Sequence, residues 1–360
     1  MLFTNYPQYT YIYLHEPART YFTKNLELKL SLYFFLFFQI IFLLLLFKSN
    51  LPAQVQQEWV RFYPENIPSF QAGSNEMVLD SLGNVYITGY ALYPSNGQMA
   101  YCTIKYNSTG IQQWVAFYTE NNSGGRYSFA IGLDKDKNVY VTGYSYNAGS
   151  DFDYCTVKYD SNGLQQWVNQ YDGSAHDIDE AHQLVVDNAD NIYVSGFSRA
   201  ITGYVFTTIK YSTDGQELWV KNFGTGGATN VYDMIVDDYC NVYLCGGYTG
   251  IGDITIKYDS SGNILWSNSS GGMAARSIEL DKYKNVYIAG YIAGIKTRYD
   301  YLTTKYSSTG ILQWMKRFNA DTSVYSWYEG VSVAVDNIGN VYVGGYYSPY
   351  QGVADRFCSV

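Results

Sequence analysis

Positive charge is scarce in this chain. Lys and Arg total 23 of 360 residues against 32 Asp and Glu, for a net charge of −9. Nucleic-acid partners need basic patches that neutralise phosphates, so this balance excludes that class of partner. The deficit deepens after residue 53, because four of the basic side chains and only two of the acidic ones precede it. Cysteine is sparse as well: five, an odd number. Cys102, Cys155 and Cys358 recur at one position of a repeated strand, and equivalent positions of separate sheets exceed the roughly 7 Å Cα reach of a disulfide. Cys240 and Cys245 bracket a single strand, so all five read as small buried hydrophobes rather than a disulfide framework. With three His in the whole chain, no established zinc-binding pattern is formed. A sustained 3.6-residue apolar period is missing after residue 53, which excludes amphipathic helices there.

Long apolar runs are also missing, with one exception. Ser31–Phe47 holds no charge and follows Arg19, Lys24 and Lys29. It falls short of the roughly 20 residues of a membrane-spanning helix. It fits a signal-peptide core, with Leu51-Pro52-Ala53 as the cleavage region; an uncleaved N-terminal anchor is the alternative. Residues 1–53 are accordingly expected to be a leader and residues 54–360 an exported domain. The basic flank stays in the cytoplasm on either reading. The expected location is therefore secreted or cell-surface, with no membrane span in the mature form.

What the chain has in abundance is repetition. DSLGNVYITG, DKDKNVYVTG, DNADNIYVSG, DDYCNVYLCG, DKYKNVYIAG and DNIGNVYVGG begin at Asp80, Asp134, Asp187, Asp237, Asp281 and Asp336. The spacings are 54, 53, 50, 44 and 55 residues, so one supersecondary unit recurs in tandem. The 40 Tyr follow from this, since Tyr86, Tyr140, Tyr193, Tyr243, Tyr287 and Tyr342 share one strand position. Residues 128–171 serve as the type unit, with four short strands predicted at 128–134, 139–144, 153–159 and 164–171. Asp/Asn/Gly turns separate them. Four-stranded units repeated around an axis are β-propeller blades. Trp59, Trp114, Trp167, Trp219, Trp266 and Trp314 occupy one position in the fourth strand and read as wedges between blades.

The repeat resembles that of the seven-bladed β-propeller family of secreted bacterial proteins. Asp336 to Gly345 (DNIGNVYVGG) carries its first element and Thr255 to Trp266 (TIKYDSSGNILW) its second. The resemblance covers residues 56–360. It implies a propeller fold and export, and no biochemical activity. The predicted fold is thus all-β, a propeller of six four-stranded blades in this chain. Its last blade stops inside the third strand, and the Trp59 strand is expected to complete it. A chain truncated before a seventh blade is the alternative.

The Asp-to-Asn and Tyr-to-Gly turns keep constant lengths, while the other two connections vary. Chain direction places both variable loops on one face, which is the expected binding face. Five residues before each Asp stand Asn75, Phe129, His182, Tyr232, Arg276 and Val331, a mixed set near the variable end. Trp327 is the single Trp outside the periodic position and is expected in a loop with Tyr325 and Tyr328. Phe129, His182, Tyr232, Arg276, Trp327 and Tyr328 are the candidate ligand-binding residues. The segment His176–His182 reads as a solvated acidic loop, and Asp134–Asn138 as a hairpin turn. Neither catalytic residues nor a metal or cofactor are assigned. The expected function is a non-catalytic binding scaffold, monomeric, for a protein or polysaccharide. The alternatives are a lyase or hydrolase acting on polysaccharide, or a structural domain of a larger surface adhesin.

Overall fold

The structure, a computed structural model, describes residues 58–63, 71–120, 124–295, 297–319, 327–348 and 356–359. The run Ser31–Phe47 and the Leu51–Ala53 region lie outside the described residues. Among the described residues, no helix is long and apolar enough to cross a membrane. Residues 59–360 form one compact unit.

That unit is built from β-strands in six antiparallel sheets. The first blade comprises β1 (Ala72–Leu79), β2 (Val85–Leu92), β3 (Met99–Tyr106) and β4 (Gln112–Tyr118). The second comprises β5 (Arg126–Leu133), β6 (Val139–Asn147), β7 (Asp151–Tyr159) and β8 (Gln165–Tyr171). In the third are β9 (Asp179–Val186), β10 (Ile192–Ala200), β11 (Gly203–Tyr211) and β12 (Glu217–Phe223). In the fourth are β13 (Ala228–Val236), β14 (Val242–Tyr248), β15 (Gly252–Tyr258) and β16 (Ile264–Asn268). The fifth holds β17 (Ala274–Leu280), β18 (Val286–Ala293), β19 (Tyr299–Tyr306) and β20 (Leu312–Phe318). The sixth holds β21 (Trp327–Val335), β22 (Val341–Ser348) and β23 (Arg356–Ser359). Strands within each sheet pair in chain order, as successive hairpins. This is the six-bladed propeller architecture expected from the repeat.

The repeated residues have a physical reason. In every copy the Asp Oδ1 accepts the amide of the Asn four residues on, at 2.8–3.0 Å. Its Oδ2 accepts the hydroxyl of the Tyr six residues on, at 2.9–3.2 Å. The carboxylate thus clamps the turn between the first and second strands and positions the Tyr ring. The residue before the Asn is left-handed in all six copies: Gly83, Lys137, Asp190, Cys240, Lys284 and Gly339. Cys240 therefore lies in a turn and is partly exposed, unlike the buried Cys102, Cys155 and Cys245. The expectation of five buried thiols fails at Cys240 because the turn, not a strand, holds it.

Each blade grips the next through its Lys and Trp. The indole NH of Trp114, Trp167, Trp219 and Trp266 donates to a turn carbonyl of the following blade, at 3.1–3.3 Å. The Lys on the adjacent third strand donates to the same carbonyl: Lys105 to Ser161, Lys158 to Thr213, Lys210 to Ser260 and Lys257 to Ser308. Gly163, Gly215, Gly262 and Gly310 end those turns at positive φ, under the indole, where a Cβ would come within about 3 Å of the ring. The Trp residues are wedges between blades, as the sequence implies.

The proposed completion of the last blade is corrected. Among the described residues the sixth sheet has three strands, and residues 58–63 form no strand. In the other blades the Trp strand pairs with the Thr-to-Tyr half of the third strand, as Thr103–Tyr106 pair with Ala116 to Gln112. In the sixth blade the described third strand ends at Ser359, opposite Gly344, and so reaches only the first residue of that half, the one equivalent to Thr103. Trp59 nevertheless makes with the first blade the contact that each other Trp makes with the blade after its own. Its indole NH reaches Ser108 O at 3.2 Å, and its ring lies over Gly110 and 5.9 Å from Tyr106.

Candidate binding face

The first strand of every blade carries a β-bulge, and the extra residue is the one five before the Asp. The register skips Asn75, Phe129, His182, Tyr232, Arg276 and Val331 in turn. A bulge leaves its extra residue outside the ladder and re-aims the side chain. The same backbone device thus presents a different side chain in each copy. The Gly ending the repeated motif makes it possible. A Cβ at Gly89, Gly143, Gly196, Gly246 or Gly290 would stand 1.9–2.3 Å from a carbonyl oxygen of the bulged strand. Only a glycine admits that approach.

The bulge residues are brought together in pairs. Phe129 and His182 stack with centroids 4.7 Å apart and planes 14° from parallel. His182 also stacks on Phe197 at 5.5 Å, and its Nε2 lies 3.2 Å from Glu180 Oε2. From Phe129 the contacts continue to Tyr144, Tyr127 and Tyr90; from Phe197 they reach Tyr204. A continuous run of half-buried rings therefore crosses the first three blades. In the fourth and fifth, the Arg276 guanidinium lies 4.0 Å from the Tyr232 ring centre and 5.6 Å from that of Tyr291. Asn75 bridges to the next blade, donating to Ser128 O at 2.7 Å, while Val331 is exposed.

Trp327 and Tyr328 are corrected from loop to strand. They head β21 and pair with Ser348 and Tyr347. Aromatic residues suit a pleated surface, so the strand begins two residues earlier than a loop there allows. Their side chains are outside the described residues. The sequence reading missed Tyr90, Tyr144 and Phe197, although each follows the motif Gly directly, and that shared position was the available signal.

One residue out from the bulge, side chains tie consecutive first strands together. Glu76 Oε2 accepts Ile131 N at 2.7 Å, and Asp233 Oδ2 accepts Ile278 N at 2.9 Å. Gln183 Nε2 donates to Tyr232 O at 2.8 Å, and Ser277 Oγ accepts Val333 N. These bonds fix the spacing of neighbouring bulges.

The reading of His176–His182 as a solvated loop is corrected at one end. His176 is exposed and pairs with Asp172, 2.6 Å from Nδ1 to Oδ2. Asp179, by contrast, is fully buried at the start of β9. It accepts the amides of Gly173 at 2.5 Å and Arg199 at 2.9 Å. Burial pushes its carboxyl up to about 6, against the lowering effect of those two amides. Asp134–Asn138 is the hairpin turn expected.

No protein-family model matches the chain, and no curated protein sequence matches it. The fold is similar to the crystal structure of Sqt1 from Chaetomium thermophilum. The TM-score is 0.50 at 8% sequence identity, covering 78% of this chain and 68% of that one. At that identity the likeness shows the fold alone, and the fold is a β-propeller.

Proposed function

We propose that this chain is an exported, non-catalytic propeller that binds a polysaccharide or protein ligand on its variable face. The observation that carries the reading is the bulge row. One backbone device, present in every blade, displays Phe129, His182, Tyr232 and Arg276 as joined ring and cation stacks. Half-buried rings present an apolar face beside polar atoms, which suits sugar rings and protein side chains alike. A rigid scaffold below and adaptable loops above is the usual division of labour in binding proteins. The non-catalytic reading is supported by His182, whose ring is held between Phe129 and Phe197 and whose Nε2 is engaged by Glu180. The run Ser31–Phe47 and the likeness of the repeat to secreted bacterial propellers support export.

A panel of soluble polysaccharides and surface proteins, screened by calorimetry with the wild type, supplies the ligand. The double variants Phe129→Ala/His182→Ala and Tyr232→Ala/Arg276→Ala are then expected to weaken binding at least about tenfold, roughly 1.4 kcal/mol, while remaining folded. Wild-type affinity in both doubles, or turnover of the polysaccharide by the wild type, overturns the reading.

A further inference from the structure

We propose that Asp153, Asp172 and Asp179 form a binding site for a hard divalent cation, calcium in preference to magnesium, between the second and third blades. The three carboxylates come from separate segments: β7, the connection after β8, and the start of β9. One oxygen from each lies within 4.8 Å of the others. Oxygens that share a cation at the calcium distances of about 2.3–2.6 Å lie no more than about 5 Å apart, so one ion reaches all three.

Proximity of acids alone does not make a site; a buried, unpartnered carboxylate oxygen at this one does. Asp153 is 1% exposed, and its Oδ2 is satisfied by Ser150 Oγ at 2.7 Å and Asn147 Nδ2 at 3.1 Å. Its Oδ1 is buried with no hydrogen-bond partner. Ser198 stands opposite Asp179 in the β9–β10 register, is 2% exposed, and has its hydroxyl beside that carboxylate. Leaving a buried carboxylate oxygen unmet is costly, and a cation satisfies it. Among the described residues, no Lys or Arg forms an ion pair with any of the three Asp, and His176 pairs with Asp172 alone.

The repeat supplies its own control. Asp300 in β19 stands at the same place in the fifth blade, six residues before the strand's last Tyr. There Arg317 Nε meets its Oδ2 and Thr297 Oγ1 its Oδ1. The residue of the second blade matching Arg317 is Gln170, which turns away to Glu120 at 2.6 Å. Where the fifth blade carries its own cation, the second brings two further carboxylates. The raised pKa values of Asp153 and Asp179, both driven first by burial, mark the same uncompensated charge. Asp, Ser and water oxygens are hard ligands, and calcium, with its six to eight oxygens in flexible geometry, accepts an irregular shell completed by water more readily than magnesium does.

The test uses the full chain stripped with chelator. Calcium is titrated by calorimetry, and terbium by luminescence excited through nearby aromatic rings such as Tyr154 and Tyr171. One saturable site is expected, with a melting temperature that rises with calcium and less with magnesium. Asp153→Asn is expected to weaken calcium affinity at least tenfold. Asp172→Asn, at an exposed residue whose loss leaves the fold intact, is expected to weaken it several-fold. No calcium uptake at millimolar concentration overturns the proposal, and so does wild-type affinity in Asp172→Asn and Asp153→Asn.

Discussion

A single carboxylate closes each of the six tight turns, and the energetic weight of that group is testable at Asp187. Its Oδ1 accepts the amides of Ala189 at 2.8 Å and Asn191 at 2.9 Å. Its Oδ2 accepts the Asn191 side chain at 2.9 Å and Tyr193 OH at 3.0 Å. Asp187→Ala leaves these donors unmet beside a buried Tyr, so a loss of about 3 kcal/mol in denaturant unfolding is expected, against about 1 kcal/mol for Tyr193→Phe. The same group sets a pH dependence. Burial pushes the Asp187 carboxyl up, but hydrogen bonds from Asn191, Ala189 and Tyr193 outweigh it and hold the pKa below its ordinary value; Asp80 and Asp281 behave alike. A depressed folded pKa stabilises the fold above the unfolded value of about 4 and loses that stability as pH falls further. Asp179 has the opposite sign. Its pKa, raised to about 6, stabilises the fold in acid and loses that contribution as pH rises through 6. Without divalent cations, melting temperature is therefore expected to peak near about pH 4. Asp179→Asn is expected to make the limb between about pH 4 and 6 shallower, leaving the part due to Glu76, whose carboxyl burial pushes up to about 7, and an unchanged limb in that variant refutes the assignment.

At the scale of the element, the bulge in each first strand depends on the Gly across from it. A Cβ at Gly196 would meet Glu180 O at 1.9 Å and Ala181 Cα at 2.9 Å, both backbone atoms unable to rotate away. Gly196→Ala is expected to cost about 3 kcal/mol or more and to disturb the Phe129–His182–Phe197 stack in near-ultraviolet circular dichroism. Gly344, the neighbouring position in the sixth blade, has open space around its Cβ site, so Gly344→Ala is expected to stay within about 0.5 kcal/mol. Equal effects at the two sites would show that the close approach does not matter. The strands, the Asp turns and the Trp positions were legible in the sequence because each rests on contacts repeated at fixed spacing. The bulge was legible only by its residue: position five before the Asp stood out as variable, but pairing register, not composition, defines a bulge. Asp153 and Asp172 were not legible as partners of Asp179, since three separate segments must fold before their carboxylates meet.

Across the whole molecule, each blade relies on its predecessor, and the first blade shows what that reliance is worth. The apolar residue three before the Asp is buried in the later blades: Ile131, Leu184, Met234, Ile278 and Val333 are all at most 6% exposed. Its counterpart in the first blade, Met77, is 61% exposed, as is Leu79 on the same face of β1. At the other end, Tyr342 is 55% exposed, whereas Tyr140, Tyr193 and Tyr243 are fully buried. First strands of consecutive blades pack on one another throughout, and no comparable packing joins the first and sixth blades among the described residues. A cleft of about 370 Å³ beside Trp59, Tyr63, Ile87, Cys102 and Tyr106 lies where a preceding blade would insert its side chains. Exposed apolar faces of this kind drive self-association. Met77→Lys/Leu79→Lys is accordingly expected to reduce concentration-dependent association in sedimentation velocity while shifting stability by no more than about 0.5 kcal/mol. Ile131→Lys, the same change at an equivalent but covered position, is expected to abolish folding, because it places an unpaired charge between two blades. A large stability loss in the Met77/Leu79 double would mean that this face is covered, and that the first blade has a partner after all.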